Sequence, residues 1–239
     1  MLIPFEQLPL AFPIGRGGAR RGAGRKSLPP HLRHTPHRAR PVHRAAHPVH
    51  VTLRAAVRSL RCQQVARTVL GAIRDSNREH FRIAHYSVQE NHIHLIVEAE
   101  NKASLSSGVR GLMVRIARRV NPLLFRRGRF WADRWHGRAL TGPRQVRNAL
   151  VYVLQNRKKH ACKPATPKRR QACCVGVGGG AEIDELSSAH WFDGFAEPIP
   201  IAFRSVGPPC VVAPRSWLLS VGWRRRGLIQ CDEAPWPSE

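Results

Sequence analysis

Residues 92 to 98, His-Ile-His-Leu-Ile-Val-Glu, alternate so that Ile93, Leu95 and Val97 fall on one side of an extended chain and His92, His94, Ile96 and Glu98 on the other. A period of two argues against a helix and for a strand with one face in a core. Glu90-Asn91 separates this stretch from Phe81 to Gln89, so the two segments read as a hairpin. The face away from the core then carries two rigidly held imidazoles, which is half of a metal site.

The neighbouring segments supply the rest of a layered domain. His47 to Ala55 alternates as a strand with Val49, Val51 and Leu53 on one face. Helical spacing runs from about Gln63 to Arg78 through Val65, Val69, Leu70 and Ile73. It returns from Ala103 to Val120 through Leu105, Val109, Leu112, Met113, Ile116 and Val120, with Pro122 as the stop. Residues 129 to 140 read as one or two short strands, and Pro143 opens a helix to about Lys159. This order predicts an α+β domain over 46–161, a mostly antiparallel sheet with helices packed on it. Residues 1–45 read as a disordered basic arm and 162–180 as a linker. Residues 181–239 form a partly ordered tail, whose Trp191, Phe192, Phe195, Trp217 and Trp223 are suited to docking, the basic domain itself being one surface for it.

Charge sets the class of partner. Forty Lys and Arg against 15 acidic residues give a net charge of +25 and a pI near 11.6, which points to nucleic acid. No stretch approaches the roughly 18 apolar residues of a membrane span. The six cysteines lack CxxC pairs and read as reduced thiols, so the expected place is the cytoplasm beside nucleoid DNA.

The helix from 143 carries the complementary chemistry. At about 100° per residue, Val146, Ala149, Leu150, Val153 and Leu154 form one apolar stripe, and Tyr152 lies at its edge with Asn156 one turn later on the same side. Cutting a phosphodiester needs a cation on its non-bridging oxygens and a nucleophile in line with the leaving oxygen. Neutral His92 and His94 with an oxygen from Asn156 or Gln155 suit Mg²⁺ or Mn²⁺, and Glu98 extends the same polar row. Tyr152 is then the nucleophile, its phenolate favoured by the metal and by Lys158, Lys159 or Arg147. Arg110, Arg129, Arg134, Lys158 and Lys159 are the cations expected on DNA. Gly176 to Gly180 lacks a following Lys-Ser/Thr, so no nucleotide-binding loop is present there.

At these residues the chain resembles the HUH single-strand transposases of the single-tyrosine, insertion-sequence-200-like type, in their REP-associated branch. The resemblance rests on Tyr86 to Val97, on Gly128 to Arg134 and on the helix around Tyr152 and Asn156, and it covers roughly 47 to 160. It implies a ferredoxin-like sheet with helices on one face, His92, His94 and Asn156 (or Gln155) on a divalent metal, and Tyr152 as nucleophile. It further implies cleavage of single-stranded DNA at hairpin-bearing ends through a 5′-phosphotyrosine, by a monomer or homodimer. Arg157 stands where the family often has proline, and the arms lie outside the shared domain. A replication initiator or relaxase would resemble a longer histidine motif or a tyrosine pair, whereas this chain has only Tyr86 and Tyr152. A domesticated, non-catalytic DNA-binding protein is the other alternative.

Overall fold

The sheet has four antiparallel strands in the order β2-β3-β1-β4: β1 (Val49–Arg54), β2 (Phe81–Val88), β3 (His92–Ala99) and β4 (His136–Ala139). The computed structural model describes residues 42–57, 59–157, 183–198, 208–233 and 235; most of the predicted basic arm, Lys158, Lys159 and the predicted linker lie outside them. Helix α1 (Gln63–Arg74) connects β1 to β2, α2 (Lys102–Leu123) connects β3 to β4, and α3 (Pro143–Leu154) follows β4. This is the ferredoxin-like β-α-β-β-α-β arrangement with one helix added.

The alternation in the strands decides the layers. Val49, Val51 and Leu53 of β1 and Ile93, Leu95 and Val97 of β3 are buried in one core with Val65, Val69 and Ile73 of α1 and Leu105, Val109, Leu112 and Ile116 of α2. The opposite face holds a second core, in which Ala84 and Ile96 meet Val146, Leu150, Val153 and Leu154 of α3. Helices therefore cover both faces, not one as the resemblance implied. The apolar stripe of α3 needs its own cover, and Ile96 provides it from the histidine side of β3.

Strand β2 does not keep a simple period of two. Ile83 pairs with Val97 and His85 with Ile96, so Ala84 is an extra residue in a β-bulge. The bulge turns Tyr86 and Val88 into the core with Phe81 and Ile83, and sends His85 to the α3 side. Without it, the polar His85 and Ser87 would point at α1 and α2.

The tail is built into the second core. Its Ile183, Phe192, Leu218, Leu219, Trp223 and Ile229 are buried with the residues of α3. Residues 184 to 188 run beside β2: the Val88 N–H donates to Leu186 O at 2.8 Å, and the Tyr86 N–H to Ser188 Oγ at 3.0 Å. Arg61 grips the buried Asp184 carboxylate with two bonds, at 2.7 and 3.0 Å. A short helix, α4 (Trp217–Ser220), starts on Glu98, whose two oxygens accept the N–H groups of Arg215 and Ser216 at 2.8 Å each. No helix among the described residues is long and apolar enough to cross a membrane.

Each large apolar side chain so buried contributes about 1.5–3 kcal/mol before entropy is counted. Six of them approach the whole stability of a domain, about 5–15 kcal/mol. A chain ending at Ala161 is therefore expected to lose its cooperative transition or melt far below the full chain, measured by thermal and urea unfolding. An unchanged melting temperature would make the tail a dispensable appendage.

Burial against Phe192, whose ring stands edge-on at 5.5 Å, lowers the pKa of His85 to about 4, while Asp193 acts weakly the other way. The folded state holds His85 neutral and the unfolded chain protonates it near 6.5. Its contribution is complete above pH 6.5 and is lost as pH falls towards 4, by up to ~3 kcal/mol. Urea midpoints at pH 7 and 4.5 should differ less in His85→Gln than in the wild type.

Candidate active site

The sheet register assembles the site across all four strands. His94 on β3 stands opposite Thr52 on β1 and Ser87 on β2, and Thr52 in turn stands opposite His136 on β4. One row further along, His50 pairs with Ile96 on one side and Arg138 on the other. His50 and Thr52 thus share the face of His94 while Val49, Val51 and Leu53 go to the core. Neither residue was anticipated as part of the site; their signal was the polar half of the β1 alternation, legible once β1 and β3 are known to be neighbours.

Both candidate ligand histidines are oriented through Nδ1. His92 Nδ1 lies 2.8 Å from Asn91 Oδ1, an oxygen that only accepts, so the ring proton sits on Nδ1 in the neutral form. His94 Nδ1 lies 3.2 Å from Thr52 Oγ1 and 3.3 Å from His50 Nε2. When His94 donates from Nδ1 to either group, its Nε2 carries the lone pair. This is how histidines are prepared for a metal, with the far nitrogen bonded and the near one directed at the ion. The two rings are 4.7 Å apart, edge to face.

Tyr152 reaches this cluster from α3. Its ring lies 4.9 Å from His94 and 5.6 Å from His50, edge-on to both. Residues Val146, Ala149, Leu150, Val153 and Leu154 are buried, and Tyr152 is half-buried at the edge of their stripe. Tyr86 contrasts with it. It is fully buried in the α1/α2 core, where desolvation pushes its phenol far above the ordinary range. Of the two tyrosines, the fold leaves only Tyr152 in reach of solvent.

The two amides after Tyr152 differ. Regular α3 ends at Leu154, and Gln155 (φ −117°, ψ 20°) donates from Nε2 to Gln230 O of the tail at 2.7 Å. Asn156 is fully buried, yet neither its Oδ1 nor its Nδ2 has a hydrogen-bond partner. Leaving a buried amide unsatisfied is costly, so Asn156 has both polar atoms available to an external ligand. Among the described residues no group of three or more His, Cys, Asp or Glu could hold a metal ion.

Other expected residues are placed elsewhere. Glu98 is engaged by the Arg215 and Ser216 amides and starts α4. Arg147 forms an ion pair with Glu233 at 2.7 Å and donates to Gly227 O and Leu228 O, so it holds the tail and not the phenolate. Arg129 donates to the carbonyls of Trp131 and Ala132, fixing its own loop. Arg110 is exposed on α2, across the sheet from Tyr152, and Arg134 is exposed before β4. Lys158 and Lys159 lie outside the described residues.

Burial, reinforced by Arg138, lowers the pKa of His50 to about 4. This imidazole is neutral at pH 7, so it can accept from or donate to His94 without adding charge beside it.

The profile of the family described as transposase IS200 like matches residues 44–156, the stretch that holds the sheet, its helices and every residue of the cluster. No curated protein matches the chain. Among solved structures, one described as a REP-associated tyrosine transposase bound to a REP hairpin aligns at 19% identity with a TM-score of 0.45, covering 53% of this chain and 74% of that one.

Thr52→Val keeps the shape and removes the hydroxyl. It should cost about 1 kcal/mol of stability and change the tautomer balance of His94, read from imidazole nitrogen shifts by NMR. Unaltered nitrogen shifts would show that Thr52 does not orient this ring.

Proposed function

We propose that the protein is a DNA transposase of the IS200-like kind, whose family profile matches residues 44–156, and that it cuts and rejoins single-stranded DNA at hairpin-bearing ends through Tyr152. The observation that carries this reading is the contact of Tyr152, from α3, with His94, from β3, at 4.9 Å between rings. A nucleophile and a candidate metal ligand from separate elements meet at one point, and the other tyrosine is sealed in the core.

In this mechanism His92 Nε2, His94 Nε2 and Asn156 Oδ1 would hold Mg²⁺ or Mn²⁺. When bound, such an ion would supply the positive charge that favours attack on a phosphodiester. Asn91, Thr52 and His50 keep the imidazoles in the tautomer that binding requires. Tyr152 Oη loses its proton to solvent and attacks phosphorus, and the bond to the 3′ oxygen breaks. One strand end leaves as a 3′-hydroxyl and the other stays on Tyr152 as a 5′-phosphotyrosine. The phosphodiester energy is conserved in that linkage, so attack by a second 3′-hydroxyl reverses the step and joins a new strand.

Incubation of the full chain with a labelled single-stranded hairpin oligonucleotide and Mg²⁺ should give an adduct that survives denaturing electrophoresis. Tyr152→Phe should abolish the adduct while leaving affinity within about twofold, since only a hydroxyl is removed. Tyr86→Phe should leave the adduct intact. His92→Ala, His94→Ala or a chelator should each prevent its formation. An adduct in Tyr152→Phe would remove this residue from the mechanism, and DNA binding without any adduct would favour a non-catalytic binder.

A further inference from the structure

Helix α2 ends in a hydrogen-bonded cap that suits glycine and carries phenylalanine. Arg126 N–H donates to Asn121 O at 2.9 Å and Phe125 N–H to Pro122 O at 3.1 Å, the pair of bonds that closes a helix through a left-handed residue. That residue is Phe125, at φ 50°, and it is 99% exposed. A β-carbon in this conformation is strained, and a ring in solvent gains nothing from burial. Packing therefore gives no reason for an aromatic here. The turn is otherwise well made, with Gly128 at φ 88° and Asn121 Nδ2 donating to Gly128 O at 3.3 Å.

The setting is cationic. Between Lys102 and Ala132 the chain has eight Lys and Arg and no Asp or Glu, and Arg126, Arg127 and Arg129 follow the ring directly. The loop is also tied to the end of the sheet that carries His92. Arg126 Nη1 donates to Ala56 O at 3.4 Å, Ala56 N–H to Phe130 O and Ala132 N–H to Arg54 O at 2.8 Å each, and Arg54 is the register partner of His92.

We propose that Phe125 is a stacking platform for an unpaired base of the bound DNA, with Arg127 and its neighbours on the adjoining phosphates. The inference rests on the assignment of DNA as substrate and adds to it a contact outside the Tyr152 cluster. An exposed aromatic beside cations is how proteins hold single strands without reading sequence, because every base offers a π face. A protein partner would need a wide apolar area around the ring, whereas Leu123 and Leu124 before it are partly buried and Arg127 and Arg129 after it are exposed. A strand leaving the His92 end of the sheet would meet this loop next.

The test uses the full chain and fluorescence anisotropy on a labelled single-stranded oligonucleotide and on a fully paired duplex of the same length. Phe125→Gly should weaken single-strand binding by roughly 5- to 100-fold and leave the duplex within about twofold, while Phe125→Trp retains affinity. The slope of log K against log salt should not change in Phe125→Gly, since no charge is lost, and should become shallower in Arg127→Ala. Glycine also relieves the left-handed strain, so Phe125→Gly should melt at or above the wild-type temperature. An oligonucleotide with 5-iodouracil should photocrosslink to the peptide containing Phe125. Equal single-strand affinity in Phe125→Gly would overturn the proposal, as would a lowered melting temperature or the loss of a dimer in sedimentation. If the wild type binds neither probe, the DNA assignment itself fails, a result distinct from a neutral Phe125→Gly on a wild type that binds.

Discussion

The pairing of β1 with β3, Thr52 opposite His94, is the constraint on which the rest depends. Side chains alternate along both strands, so a slip of one residue would bring Val51 or Leu53 to the histidine face and send His50 and Thr52 into the core under α1 and α2. Three apolar residues on each strand hold the register against that slip: Val49, Val51 and Leu53 facing the core from β1, and Ile93, Leu95 and Val97 from β3. The orientation of His94 by Thr52 and His50 is a consequence of the hydrophobic pattern on the far side of the sheet. Core and site are specified by alternate residues of the same strands.

Much of this is legible in the sequence wherever a short-range period carries it. The alternation of His92 to Glu98, the edge position of Tyr152 on its helix and the stop near Pro122 each follow from residues within one or two turns. What the sequence hides is what needs a distant partner. The bulge at Ala84 inverts half of β2, and its reason is Tyr86 and Val88 seeking the core, visible only once β2 is placed beside β3. Glu98 shares a strand face with the histidines, yet its carboxylate is occupied by amides over a hundred residues away. Arg147 lies one helical turn and a residue before Tyr152, but Glu233 claims it. In both cases face and spacing are satisfied while a long-range contact decides the role. The DNA cations Lys158 and Lys159 lie outside the described residues, so their placement stays an expectation from sequence.

The tail changes the meaning of α3. A single helix laid on a sheet covers only part of the face, and the apolar side chains at the edges of its stripe need neighbours. Phe192, Leu219, Trp223 and Ile229 supply them. The polar contacts are set at both ends of the helix, Arg147 with Glu233 near its start and Gln155 with Gln230 O after its last turn. The segment bearing Tyr152 is thus held between the sheet and the tail. In the proposed mechanism a tyrosine must stay in line with a phosphate, and positioning of this kind is a large part of any catalytic advantage. The tail aromatics, which as sequence suggested a docking surface, serve first to fix that helix.

Charge is divided by distance in the same way. Forty Lys and Arg give the chain a long-range attraction for polyanions, while the cluster of His50, His94 and Tyr152 is made of three aromatic rings in mutual contact. Burial and Arg138 both oppose a proton on His50, so the surrounding positive field helps to keep this imidazole neutral. Neutral imidazoles are the form that can bind a cation, and a protonated pair would repel one. The arginines that draw the substrate in and the histidines that would hold a metal beside it are therefore not in competition. Attraction acts through solvent over about a Debye length, roughly 8–10 Å, and Arg138 adds to burial in lowering the basicity of His50 at short range, where screening is weak.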